Sequence, residues 1–447
     1  KGKTEIAINQ IKHNLLNSEE YICIYSTKTK ILSKEIYDRL VTDITTEYIE
    51  IIDTSVSFNV KKDIIERINH PLKKKMVLII TGISITNLNN ISFDKIDDVF
   101  IDEELNIMET RKITIENNCV ESDIIKLLLK DKILYTDLGG VCNLTLKSNF
   151  KNNILSKYIS KYEIFEKIRT KNSLVIGITK EVDDFFCGRS NQFTYHIITD
   201  IDHLDKTKNT PTLLGYDIQN TTMGIVLKDI HNHTLNDITP TSHTSYQNKI
   251  TIHYCSEEDI GNFKLASNPK YRENILETYR PFLDEDTLLC DFNFSDAGIC
   301  KFTNLILPKV PHGINNPIWM DKTKIAIFSH FRYTPEEQRL MAYFGKTLDD
   351  IDRAREGNMF IQIMARSKIR IDPTVDIDVF VIDKRSAECM KNMLVGCNVN
   401  LVFHKMNKVL SARSITISPS ERRRLKYLRY KKKNNPSKFT KENQEEL

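Results

Sequence analysis

Two apolar periodicities alternate along the first ~200 residues of the chain. "TEIAINQIKHNLL" (4–16) and "SKEIYDRLVTDI" (33–44) space apolar side chains for one face of a helix, whereas "YICIYST" (21–27) and "MVLIITG" (76–82) are short continuous apolar runs. "DDVFIDEELN" (97–106) is a third such run, ending in acids, and "NSLVIGITK" (172–180) is a fourth. Apolar strands closed by polar residues and separated by helices predict a doubly wound parallel sheet, with ligands at the strands' C-terminal ends. "ESDIIKLLLKD" (121–131) and "NILSKYISKYEIFEKI" (153–168) read as helices, so a helical insertion is expected over about 105–170. Residues ~200–248 are polar and read as loops or short strands between two halves.

The alternation then resumes. "KYRENILETYRPFL" (270–283) is helical, and "DTLLCDF" (286–292), "TNLILP" (303–308) and "KIAIFSHF" (324–331) read as strands. "TPEEQRLMAYFG" (334–345) opens with Thr, Pro and two acids, a helix start. "FIQIMARSKIRI" (360–371) leads into a last strand, "DIDVFVID" (376–383). No repeat recurs at a 20–50-residue period. The pattern predicts an α/β chain with one lobe over 1–200, a second over 201–412 and a tail over 413–447.

A length of 447 residues suits two or three domains, and 40% hydrophobic with 28% charged residues is a globular composition. Nine cysteines occur singly with no CxxC pair, which fits free thiols in an intracellular, cytoplasmic setting. No apolar run is long enough for a membrane span. The net charge of +4 is uneven: Glu421–Lys441 holds ten Lys/Arg against one acid, on a near-neutral body. Such a tail suits contact with a polyanion, or a solvated end.

Gly2-Lys3-Thr4 opens the chain directly before a helical pattern, as in the closing half of a phosphate-binding loop whose first half would precede Lys1. There Lys3 meets β/γ-phosphate oxygens and Thr4 gives a hydroxyl to Mg²⁺. Asp102-Glu103-Glu104 ends a strand, where one carboxylate can hold a metal and the next can polarise water. The histidines at 203, 231, 233 and 243 lack a standard ligand spacing, and Cys187 lacks a base partner.

In this order the motifs resemble those of superfamily 2 (DExx-box) helicases and translocases, which have two RecA-like lobes. "VFIDEELN" (99–106) is similar to the DExx box. "YICIYSTKTKILSKEIYDRL" (21–40) resembles the strand–loop–helix that touches nucleic-acid backbone, with Ser26, Thr27 and Lys28 in its loop, and "LIITGISI" (78–85) the next such element, with Thr81 at its strand end. "LVIGITK" (174–180) matches the Ser/Thr-Ala-Thr motif that links hydrolysis to lobe movement, although Lys180-Glu181 follows Thr179 where a second hydroxyl is usual. "PHGINNPIWMDKTKIAIFS" (311–329) looks like the motif whose Gly and Asn approach nucleotide and nucleic acid, here Gly313 and Asn315. "QIMARSKIR" (362–370) resembles the final Q-x-x-G-R-x-x-R motif, with Gln362 and Arg366 matching and Ala365 in place of Gly.

The resemblance implies an ATP-dependent helicase or translocase acting on DNA or RNA. ATP would be held by Gly2, Lys3, Thr4, Gln362 and Gly313, and Mg²⁺ by Thr4 and Asp102. Glu103 would act as base, and Arg366 or Arg370 would supply charge from the second lobe. Replication or transcription partners are expected, in the style of viral or plasmid helicases of the origin-binding type. The departures near Thr179 and in the last motif also fit a second expectation, a nucleic-acid-binding or scaffold protein on a helicase-like frame with a decayed ATPase. A small-molecule P-loop kinase fits the long second half less well.

Overall fold

The computed structural model describes residues 3–86, 88, 91–115, 126, 129–130, 133–146, 164, 168, 173–199, 201–215, 217–237, 248–290, 303–307, 316–372 and 374–406. Two α/β lobes, each on a five-stranded all-parallel sheet, carry the chain.

In lobe one the strands are β1 (Tyr21–Thr27), β2 (Ile49–Ile52), β3 (Lys75–Thr81), β4 (Asp98–Asp102) and β10 (Thr212–Leu214), in spatial order β10-β4-β1-β3-β2. Every residue of β1 and β4 is buried, as expected of strands covered on both faces. Helix Lys3–Asn17 buries Ala7, Ile8, Ile11 and Leu15 against Tyr25 and Phe100 on one face of this sheet. Helix Lys30–Val41 starts where the Thr29 side chain accepts from Leu32 N, and packs on the same face. Helix Val60–Asn69 covers the other face with Ile64 and Ile68.

Lobe two orders its strands β12 (Leu288–Cys290), β13 (Lys324–Ile327), β14 (Ile377–Phe380), β11 (Lys249–Tyr254) and β15 (Asn398–Phe403). Thr334 caps helix Pro335–Tyr343 through a full capping box with Glu337. Residues 348–364 follow as two helical stretches joined by a π turn at Arg353–Gly357, and helix Lys384–Met393 packs beside it. Trp319 is buried in this lobe's core with Phe331 packed against it.

Four expectations are corrected. The region about 105–170 is not helical throughout, although residues 126, 129–130, 164 and 168, which fall within the two expected helices, are helical. It also holds strands β5 (Met108–Thr114), β6 (Ile133–Asp137) and β7 (Val141–Leu146) of a separate antiparallel sheet, which β8 (Ser173–Ile178) and β9 (Gln192–Thr199) complete in the order β5-β9-β8-β7-β6. Gly139 and Gly140, both at positive φ, make the β6–β7 turn. Most of 121–131 and 153–168 lies outside the described residues. The run at 172–180 enters this sheet as β8, paired antiparallel with β7 and with β9, because a short apolar run is equally at home in either kind of sheet. Lobe one does not end at 200, since β10 joins its sheet beside β4. "TNLILP" forms only an isolated bridge, Leu289 with Ile306.

The lobes share a hydrophobic core. Tyr333, Leu340, Met341, Ile351 and Ala354 of lobe two join one buried cluster with Ile101, Leu105, Val141, Ile176 and Met223. Tyr343 OH donates to Leu138 O at 2.7 Å, and Arg339 meets Glu181 at 3.0 Å. The inserted antiparallel sheet therefore braces lobe two against lobe one.

Candidate nucleotide site between the lobes

Lys3 and Thr4 occupy the first turn of helix Lys3–Asn17, and Asp102 is the last residue of β4. The apolar side of that helix clamps it to the sheet, which sets Thr4 over the end of β4. Thr4 Oγ1 donates to Asp102 Oδ2 at 3.1 Å, and Tyr25 OH donates to the same oxygen at 2.7 Å. Burial pushes the Asp102 carboxyl up to about 6, with the neighbouring Glu103 charge raising it further and the two hydroxyls opposing. The Lys3 ammonium donates to the Gly215 carbonyl. Burial lowers its pKa, against the fields of Asp237, Asp217 and Asp102.

Glu103 follows at φ +75°, a left-handed conformation that a side-chain-bearing residue adopts at a cost of about 1 kcal/mol or more. Its N–H is tied to Leu214 O at 2.7 Å, so β10 holds the turn. The turn delivers the Glu103 carboxylate to lobe two, where Arg366 Nη2 lies 3.9 Å from Glu103 Oε1. Both side chains are largely covered, and burial lowers the Arg366 pKa while Glu103 opposes that shift. Arg370 lies in the next turn and its charge acts on Arg366. Glu104 turns away and accepts from Met223 N at 2.9 Å, with its carboxyl raised by burial.

The hard oxygen donors Thr4 Oγ1 and Asp102 Oδ2 fit the demands of Mg²⁺, which takes one or two carboxylates and completes its shell with water and phosphate. An ammonium at the same helix start and a guanidinium opposite would frame a phosphate chain. Gln362 lies one turn before Arg366. Its Nε2 donates to Asn358 Oδ1 at 3.3 Å, and its Oε1 has no hydrogen-bond partner among the described residues.

Other sequence candidates are not gathered here. Gly2, Gly313, Asn315 and the basic tail lie outside the described residues. Ser26 and Thr27, expected in a nucleic-acid-contacting loop, are 0% and 1% exposed. They are the last residues of β1 rather than loop residues, and Thr27 Oγ1 bonds Ser33 Oγ at 2.6 Å. Lys28 stands at the strand's exit, half-buried, and its charge acts on Glu104. Thr81 ends β3 with its hydroxyl 3.2 Å from Ser84 Oγ. Thr179 starts the helix after β8 and bonds Asp137 Oδ1 at 2.8 Å at the end of the inserted sheet, so it does not stand beside the acids as the coupling motif requires. The strand that does stand there is β10, and Gly215, which sequence reading passed over, receives Lys3. The only signal for it was a short apolar run, Thr212–Leu214, closed by glycine. His233 is paired with Asp202 at 3.0 Å, and no cluster able to hold a metal through His, Cys, Asp and Glu alone occurs among the described residues. No helix there is long and apolar enough to cross a membrane.

No protein-family model and no curated protein sequence matches the chain. Among solved structures it is similar to Xpd4 of S. tokodaii, at 14% identity over 90% of this chain and 100% of that one, with a TM-score of 0.39. Mss116p, in a form lacking its NTE and C-tail and bound to ssRNA and AMP-PNP, is similar at 9% identity over 97% of this chain and 76% of that one, with a TM-score of 0.32. UvsW of T4 is similar at 10% identity over 93% of this chain and 65% of that one, with a TM-score of 0.24. At these scores the likeness is one of loose arrangement, and the functional reading rests on the site.

Proposed function

We propose that the chain is an ATP-dependent nucleic-acid helicase or translocase, with ATP hydrolysed between its two lobes. The observation that carries this reading is the meeting of Glu103 and Arg366 across the lobe junction, beside Thr4 and Asp102. An acid, a base, a hydroxyl and a cation from two sheets converge on one place, which is what phosphoryl transfer needs.

Lys3 would neutralise the phosphate chain, and Thr4 and Asp102 would hold Mg²⁺. Bound Mg²⁺ would supply charge neutralisation at the β- and γ-oxygens. The Glu103 carboxylate would orient the attacking water and take its proton. Arg366 would stabilise charge on the transferring group, with Arg370 beside it. Because Arg366 comes from lobe two, hydrolysis would proceed only with the lobes apposed. Contacts to nucleic acid would run along the rim formed by Lys28 and Thr81, through the backbone and without sequence readout. The role expected of Thr179 passes in this reading to β10 and Gly215, which touch both Glu103 and Lys3. Replicative duty of a viral or plasmid kind rests on the compact motif style alone.

ATP turnover measured with and without single-stranded DNA or RNA tests the proposal. Wild-type turnover should rise on adding nucleic acid, and Glu103→Gln should lower it by about 10²-fold or more while nucleotide binding persists. Oligonucleotide binding with no turnover would select the scaffold reading. Turnover unchanged by Glu103→Gln would reject the assignment of the base.

A further inference from the structure

The C-terminal ends of β4, β1, β3 and β2 form one rim, because Thr27 is in register with both Asp102 and Thr81, and Ile52 with Ile80. The acids stand at the β4 position. Three strand spacings away, roughly 14 Å, the loop after β2 stands at the other end. That loop is built from within. Asp53 Oδ1 accepts from Ser55 N at 2.6 Å, Val56 N and Ser57 N both return to Asp53 O, and the Asn59 side chain caps helix Val60–Asn69. Lys30 Nζ donates to Thr54 Oγ1 at 2.6 Å, which ties the loop to the start of the helix after β1.

A loop so braced nevertheless turns its apolar side chains outward. Phe58 is fully exposed, Val56 is 70% exposed and Ile31, beside Lys30, is 62% exposed. Exposed Lys30, Lys34, Lys61 and Lys62 surround them, and half-buried Lys28 completes the group toward the acids. The neighbouring acids are Asp53, which is buried and bonded within the loop, Glu35, Asp63, and Glu66, which pairs with Lys62 at 3.5 Å. An aromatic face among cations suits a chain of flat bases on an anionic backbone better than another apolar surface, which would bury those ammonium groups.

We propose that Phe58, with Val56 and Ile31, is a base-stacking platform for single-stranded nucleic acid, and that Lys30, Lys34, Lys61 and Lys62 hold the strand's phosphates over it. The platform rests on the nucleic-acid reading above and deepens it. It names the strand form, single, and the mode, stacking without base-edge readout, at a place set apart from the hydrolytic acids. A base seated on Phe58 would also fix the strand's position along the rim, leaving the buried Ser26 and Thr27 out of contact.

The test uses the whole chain and short single-stranded DNA and RNA oligonucleotides carrying 2-aminopurine, whose fluorescence is quenched by stacking. Wild-type protein should bind and quench, Phe58→Trp should do the same, and Phe58→Ala should weaken binding by about tenfold or more and relieve the quench. Lys61→Gln with Lys62→Gln should flatten the salt dependence of binding by about 1.4 log units per log unit of salt. Equal affinity and equal quench for wild type and Phe58→Ala would overturn the platform while leaving the nucleic-acid reading intact, and would give the patch to a protein partner. A blunt duplex bound with the same dependence on Phe58 would also overturn it. If wild-type protein binds no oligonucleotide at all, the function proposed above fails first and the platform with it.

Discussion

Asp102 works against its surroundings. It is 7% exposed, and burial raises its carboxyl to about 6, so the folded chain holds that proton more tightly than the unfolded chain does. A raised carboxyl contributes most to stability below about pH 4, and the contribution is lost as pH rises through about 6. Near neutrality the cost is of order 2–3 kcal/mol. Asp102→Asn should therefore raise stability against urea at pH 7, with the gain shrinking toward pH 5, while Mg²⁺-dependent nucleotide binding is lost. Urea melts at the two pH values, beside a nucleotide titration, check both halves. The acids, Thr4 and Arg366 were legible because charged residues in strand-end and motif positions stand out in a sequence. The left-handed turn at Glu103 was not, because it is imposed by β10 from more than a hundred residues away. Ser26 and Thr27 misled because the family resemblance assigned them to a contacting loop, yet they complete a fully buried strand.

At the scale of elements, local chemistry was readable and pairing was not. Thr334-Pro335-Glu336-Glu337 announced a helix start, and the structure closes the box: Glu337 N donates to Thr334 Oγ1 at 3.3 Å, and Thr334 N donates to Glu337 Oε2 at 2.8 Å. Thr334→Ala should cost about 1 kcal/mol, read as a lower denaturation midpoint at unchanged slope. The inserted sheet escaped because its strands are mixed in polarity and paired with one another. Its β5 exposes alternate stretches, and its β8 looks in isolation like any buried parallel strand. The same limit hid β10, three residues long, whose membership of lobe one's sheet is visible only through its pairing with β4.

At the scale of the whole molecule, two α/β halves were foreseeable from the alternation of patterns, but the way they meet was not. Packing joins Tyr333, Leu340, Met341 and Ile351 of lobe two to lobe one's core, and ion pairs Arg353–Asp217 and Lys346–Asp229, each at 2.8 Å, flank that joint. Residues 348–364 run from these contacts to Gln362, just short of Arg366, so a shift at the joint would be carried toward Arg366. In the proposed cycle, movement of lobe two would pivot about this shared core, and the Glu103–Arg366 meeting point would open or close with it. The central claim is that ATP is hydrolysed at a site made jointly by both lobes. Single-turnover hydrolysis by Arg366→Ala at saturating ATP with bound single strand tests it most directly. The rate should fall by about 10³-fold or more while ATP affinity changes far less, since a charge that acts on the transferring phosphoryl is felt in the chemical step. A rate equal to that of the wild-type protein would contradict the composite site.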